Sequence, residues 1–149
     1  MNWHSKTFET LSISELYRIL QLRSKVFVVE QNCPYLDMDD KDQQSVHLWL
    51  AGDDGRVLAY CRLLPAGISY PQCSIGRVVT DSQARGSGAG RRLMEKAIHY
   101  IEATWQATSI RIGAQLYLKT FYESLGFEQS SESYLEDDIP HIEMIRNKA

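Results

Sequence analysis

The chain has 149 residues, 44% hydrophobic and 23% charged, with a formal net charge of −3. These proportions suit one globular domain over residues 1–149 with a core of its own, and nothing basic argues for a nucleic-acid partner. No run reaches the roughly 18 apolar residues of a membrane span, and the polar start MNWHSKTFET is no signal peptide, so a cytoplasmic protein with no membrane partner is expected.

In chain order, Trp3 to Glu9 alternates as a first strand. Ser12-Ile13-Ser14-Glu15 matches a capping box that opens a helix, whose apolar positions Leu16, Ile19, Leu20, Val26 and Phe27 carry it to about Val28. A polar turn through Pro34 leads to Asp37, Asp39, Asp40 and Asp42, a charge run that reads first as a solvated face. His47 to Leu50 and Val57 to Leu64 form a hairpin around Gly52-Asp53-Asp54-Gly55. Ser74 to Thr80 is the next strand, and Leu93, Met94, Ala97, Ile98 and Ile101 mark the buried stripe of the next helix. Ser109 to Gly113 is a strand, Tyr117 to Leu125 a short helix closed by Gly126, and Phe127 to Tyr134 and Ile139 to Arg146 are the last two strands. The order β-α-β-β-β-α-β-α-β-β describes an α/β (α+β) fold with one mixed sheet and helices packed against it. Cys33, Cys61 and Cys73 are odd in number and lack metal-type spacing, so reduced thiols and no metal are expected.

The stretch of most chemical interest is Arg85-Gly86-Ser87-Gly88-Ala89-Gly90-Arg91-Arg92, a glycine loop between the Ser74 to Thr80 strand and a helix. The first turn of a helix has backbone N–H groups without internal partners and partial positive charge, so an anion can dock there. Glycines at 86, 88 and 90 remove side chains that would keep a pyrophosphate away and permit positive φ, while Arg85 and Arg91 add charge. A P-loop would need Lys-Ser/Thr after the last glycine, where Arg91-Arg92 stands, and the spacing does not suit a dinucleotide fingerprint. A glycine loop can also be a tight connection and nothing more.

Arg-x-x-Gly-x-Gly after a strand resembles the GNAT superfamily of acyl-CoA-dependent N-acyltransferases. Phe121-Tyr122-Glu123-x-x-Gly126-Phe127 matches a second motif of that family, with Gln115 standing where Asn is commoner. Val26-Phe27-Val28-Val29-Glu30-Gln31-Asn32-Cys33-Pro34-Tyr35, Ile75-Gly76-Arg77-Val78-Val79 and Ile139-Pro140-His141 further resemble the ElaA-type members. The resemblance covers essentially the whole chain. It implies acetyl-CoA as cosubstrate, with its pyrophosphate on the loop of residues 85–91 and its pantetheine arm along Val78, Val79 and Thr80, near Gln115. It also implies that a backbone N–H of that strand polarises the thioester and that Tyr122 protonates the leaving thiolate. A phenol with an ordinary pKa of about 10 is largely protonated at neutral pH, which suits that task.

The base that frees the attacking amine is open between His141, His47, Glu30 and water. Alternation puts His141 and Glu143 on one sheet face and Ile142 and Met144 on the other. Arg23, Glu30, His47 and Arg77 fall in segments expected to border the acceptor. Arg77, inside an apolar strand, needs a partner: an acidic acceptor group, Glu30 or an aspartate. The acids at 37–42 and at Glu136, Asp137 and Asp138 would draw a cationic amine by electrostatics. The acceptor is expected to be a small-molecule amine, with protein amines as the other option, and an acyl-CoA sensor without turnover is the competing function. Sheet edges near the C-terminus would suit a homodimer, which many members of that family form.

Overall fold

The computed structural model describes residues 1–148. Strands β1 (Asn2–Thr7), β2 (Val46–Ala51), β3 (Val57–Leu64) and β4 (Ser74–Thr80) form one antiparallel sheet in that order. Strands β5 (Ser109–Gln115), β6 (Glu128–Gln129), β7 (Tyr134–Glu136) and β8 (Ile139–Asn147) form a second, in which β8 pairs with all three others. A single parallel bridge, Cys73 to Ile110, joins the two, with Arg111 N–H donating to the Cys73 carbonyl at 2.9 Å. That bridge is the parallel element of the expected mixed sheet.

β2 and β3 read as nearly unbroken apolar runs because both their faces are covered. Val46, Leu48 and Leu50 turn to helix α2 (Ala89–Ala103), whose buried stripe is Ala89, Leu93, Met94, Ala97, Ile98 and Ile101. Trp49, Val57 and Tyr60 turn to the other face, where Ile19, Leu22 and Val26 pack on them. Burial on this scale, at about 25 cal/mol per Å² of apolar surface, is the main force holding the two layers on the sheet.

Helix α1 (Ile13–Arg23) starts as the sequence predicts. The Ser12 hydroxyl accepts from Glu15 N–H at 3.0 Å, and the Glu15 carboxylate accepts from Ser12 N–H at 2.8 Å. It differs at its end: beyond Arg23 the chain continues to Glu30 as a π-helical segment. The strand expected over Phe127 to Tyr134 is broken into β6 and β7. Helix α3 (Lys119–Glu123) closes as Gly126 requires, in the left-handed region at φ +92°, with Phe127 N–H donating to the Tyr122 carbonyl at 3.1 Å.

Candidate active site

β4 carries an irregularity the sequence reading missed. Tyr60 pairs with Val79 but Arg62 pairs with Gly76, so β4 holds one residue more than β3 there, and Arg77 takes φ +49°. Such a bulge bends its strand. Past the Cys73 bridge β4 and β5 make no further pairs, and the backbone edge of β4 that faces β5 is left open. The gap is a cleft of about 960 Å³, lined by residues 76–80 of β4 and 112–115 of β5.

The glycine loop stands at one end. Gly86 and Gly88 both have φ +82°, which a side chain would strain, and Gly88 caps α2 without any side-chain bond. The first helical bond runs from Arg92 N–H to the Gly88 carbonyl, so the amides of Ala89, Gly90 and Arg91 have no helical acceptor. This donor set fits a pyrophosphate. Arg85 and Gly90 line the cleft; the Ala89 side chain is buried in the core, and Ser87 Oγ donates to the Ala84 carbonyl at 2.5 Å. Arg85 Nη2 donates to Glu30 Oε1 at 2.8 Å and to the Thr80 carbonyl at 3.2 Å. Glu30 therefore pairs with the loop, not with Arg77. Arg91 reaches over the Phe121 ring to Ser124 Oγ, 2.5 Å away.

The model of the Acetyltransferase (GNAT) domain matches residues 19–148. The chain belongs to the GNAT acetyltransferase family. It is 40% identical over 147 residues to protein ElaA of Escherichia coli K12, covering 98% of this chain and 96% of that one. The crystal structure of E. coli ElaA superposes with a TM-score of 0.91 at 39% identity, over 98% of this chain and 99% of that one. An acyl-CoA N-acyltransferase from Pseudomonas aeruginosa superposes with a TM-score of 0.92 at 46% identity, over 97% and 98%. The GNAT fold, with its antiparallel sheets, is thus shared along nearly the full length of these proteins.

In this GNAT cleft, Tyr122 belongs to the same lining as the open edge of β4, 5% exposed, with its ring edge-on to Phe121 and Phe127. Burial, and to a lesser degree Cys61 and Tyr117 nearby, pushes its phenol well above the ordinary value. The group therefore holds its proton at neutral pH.

His141 lines the same cleft, opposite Gln115 in the β5–β8 register. Its Nδ1 is 2.7 Å from the Ile139 carbonyl, which can only accept, so Nδ1 carries a proton and the neutral tautomer of this ring has its lone pair on Nε2. Glu136 Oε2 lies 3.4 Å from Nε2, placed to pair with it once the ring takes up a proton.

Arg23 and His47 are corrections. Neither lines the cleft and both are fully buried. Arg23 gives Nε to Asp37 Oδ2 and Nη1 to Asp42 Oδ1, each at 2.8 Å. His47 Nε2 donates to the Asp42 carbonyl at 2.9 Å and Nδ1 accepts from the Tyr60 hydroxyl at 2.7 Å. Burial holds this imidazole below its ordinary pKa, hence neutral, and both nitrogens are spent inside the protein.

The aspartate run is likewise no solvated face. Asp37 and Asp42 are buried, and with Asp39 they face three guanidiniums: Arg23, Arg62 and Arg77. Arg77 Nε lies 2.8 Å from Asp37 Oδ1 without the alignment of a hydrogen bond, and its Nη2 donates to the Asp37 carbonyl at 2.8 Å. An aspartate is thus its partner within the fold, and Arg77 also lines the cleft. Three carboxylates matched by three guanidiniums leave no field to attract a cation; of the run only Asp40 is exposed. The sequence signals only that Arg23, Arg62 and Arg77 each interrupt an apolar segment and so need partners; which aspartates supply them it does not show.

Proposed function

We propose that this GNAT protein moves an acetyl group from acetyl-CoA to the primary amine of a small acceptor by direct attack in a ternary complex. What supports the reading is that one cleft holds the amide-rich loop, the open edge of β4 at Val78–Thr80, Tyr122 and His141. Bound acetyl-CoA supplies a thioester carbon open to attack by a neutral amine. His141 Nε2 takes the proton that the amine must lose, since only its lone pair attacks. A backbone N–H of the β4 edge donates to the thioester carbonyl, stabilising the charge that grows there. Tyr122 gives its phenolic proton to the departing sulfur as the new C–N bond forms and the C–S bond breaks. Gln115, at the end of β5, borders the pantetheine path.

The test is calorimetric titration of acetyl-CoA, CoA and dephospho-CoA into the wild type and Arg85→Ala, followed by thiol release over a panel of amines. Binding that Arg85→Ala weakens, together with thiol release, is expected. Binding without turnover on any amine would make the chain an acyl-CoA sensor instead, and no binding would sink the assignment of the loop.

A further inference from the structure

Most charges that line the cleft cancel in pairs. Glu30 is matched by Arg85, and Asp39 by Arg62 and Arg77. Lys41 is not matched: its Nζ donates to Ser69 Oγ at 3.0 Å and, among the described residues, makes no ion pair. It is the surplus cation beside a cage whose aspartates and arginines are already balanced. Ser69 accepts from Lys41 and so keeps its own hydroxyl proton to donate.

The surplus of opposite sign also lines the cleft. Among the described residues Glu136 has no ion-pair partner but His141, and Asp137 has none. Two tyrosines lie between these charges. Tyr70 follows Ser69 in the chain, and Tyr134 stacks on His141 with ring centroids 6.0 Å apart. Their hydroxyls converge over Gly113: a Cβ built there would lie 3.1 Å from the Tyr70 oxygen and 3.4 Å from that of Tyr134. One cleft lining therefore holds an unmatched ammonium, two tyrosines whose hydroxyls approach the same glycine, the candidate base and the carboxylates of Glu136 and Asp137.

We propose that the acceptor carries a carboxylate as well as its amine, making it an amino acid in the broad sense. The carboxylate sits on Lys41 Nζ and Ser69 Oγ, the carbon chain lies along Tyr70 and Tyr134, and the amine is presented to His141. A diamine would place its second ammonium against Lys41, and a simple alkylamine would leave Lys41 unmatched. The inference rests on the transferase reading and adds the class of its substrate.

The experiment measures thiol release from acetyl-CoA with glycine, β-alanine, 4-aminobutyrate and 6-aminohexanoate, each against its carboxamide, and with 1,5-diaminopentane. At least one acid should exceed its carboxamide in kcat/KM by about tenfold or more, the worth of one charge-assisted hydrogen bond. Lys41→Gln should erase that preference, and Lys41→Arg should restore part of it. Carboxamides or the diamine serving as well as the acids at every length would overturn the proposal, as would Lys41→Gln slowing acids and carboxamides alike. Calorimetric titration of the same pairs into the CoA-saturated protein makes the comparison without turnover. Selective binding of an acid with no thiol release would support the carboxylate subsite and sink the transferase reading; equal binding of acid and carboxamide would sink the subsite alone.

Discussion

Arg62 holds Asp39 through two parallel hydrogen bonds, Nη1 to Oδ1 at 2.8 Å and Nη2 to Oδ2 at 2.5 Å. The pair fastens the central strand β3 to the loop that forms one wall of the cleft. Arg62 Nη1 also reaches Asp42 Oδ1 at 2.8 Å, the oxygen that Arg23 uses from helix α1. Strand, helix and loop thus meet on shared carboxylates. Buried ion pairs add little net stability over an apolar core, but they fix which parts meet, and losing one partner leaves its mate uncompensated.

Asp42→Asn should therefore destabilise the fold by about 3 kcal/mol or more, since two buried guanidiniums lose a shared anion. Urea denaturation followed by circular dichroism measures it. A loss under about 1 kcal/mol, typical of exposed pairs, would contradict the cage.

The same cage sets the response to acid. Burial works to raise the carboxyls of Asp39 and Asp42, but the hydrogen bonds and charge of Arg62 on Asp39, and of Arg23 and Arg62 on Asp42, outweigh it and hold both below the ordinary carboxylate range. Folded values below the unfolded value of about 3.9 mean the stabilisation is complete above about pH 5 and is lost as pH falls toward the folded values. Thermal midpoints of the wild type should fall steeply below about pH 4. Those of Asp42→Asn should fall less steeply over the same interval.

Tyr122→Phe removes one oxygen from a buried ring that packs on Phe121 and Phe127. The fold and the affinity for acetyl-CoA should be retained, while kcat falls by about 10²-fold or more through loss of the acid. Steady-state kinetics beside calorimetry separate the two, and an unchanged kcat would remove Tyr122 from the chemistry.

Gly113→Ala would set a methyl 3.1 Å from the Tyr70 hydroxyl and 3.4 Å from that of Tyr134, forcing the two apart. Displacing groups that position the acceptor should lower kcat/KM for the amine by about tenfold. Affinity for acetyl-CoA, whose pyrophosphate is proposed to dock on the glycine loop, should change far less. Equal losses in both would show that the substitution distorts β5 itself.

Much of this was legible in the order of residues because its causes are local. Periodicity located α2 and β8, the capping box opened α1, Gly126 closed α3, and residues 85–91 announced a helix start with open amides. Alternation also placed His141 and Glu143 on the face opposite Ile142 and Met144: those two join the hydrophobic core, whereas His141 lines the cleft. The bulge at Arg77 was not legible, since it exists only as a register difference between β4 and β3. Nor were the burial of Arg23 and His47 or the neutralised aspartates, whose partners lie as far as 40 residues away along the chain. Composition and local pattern determine which segments fold into which elements and which loop can hold an anion. Whether a charged side chain faces solvent, substrate or another charge is decided only when distant strands come together, because the partner that makes its burial tolerable is supplied by the tertiary structure.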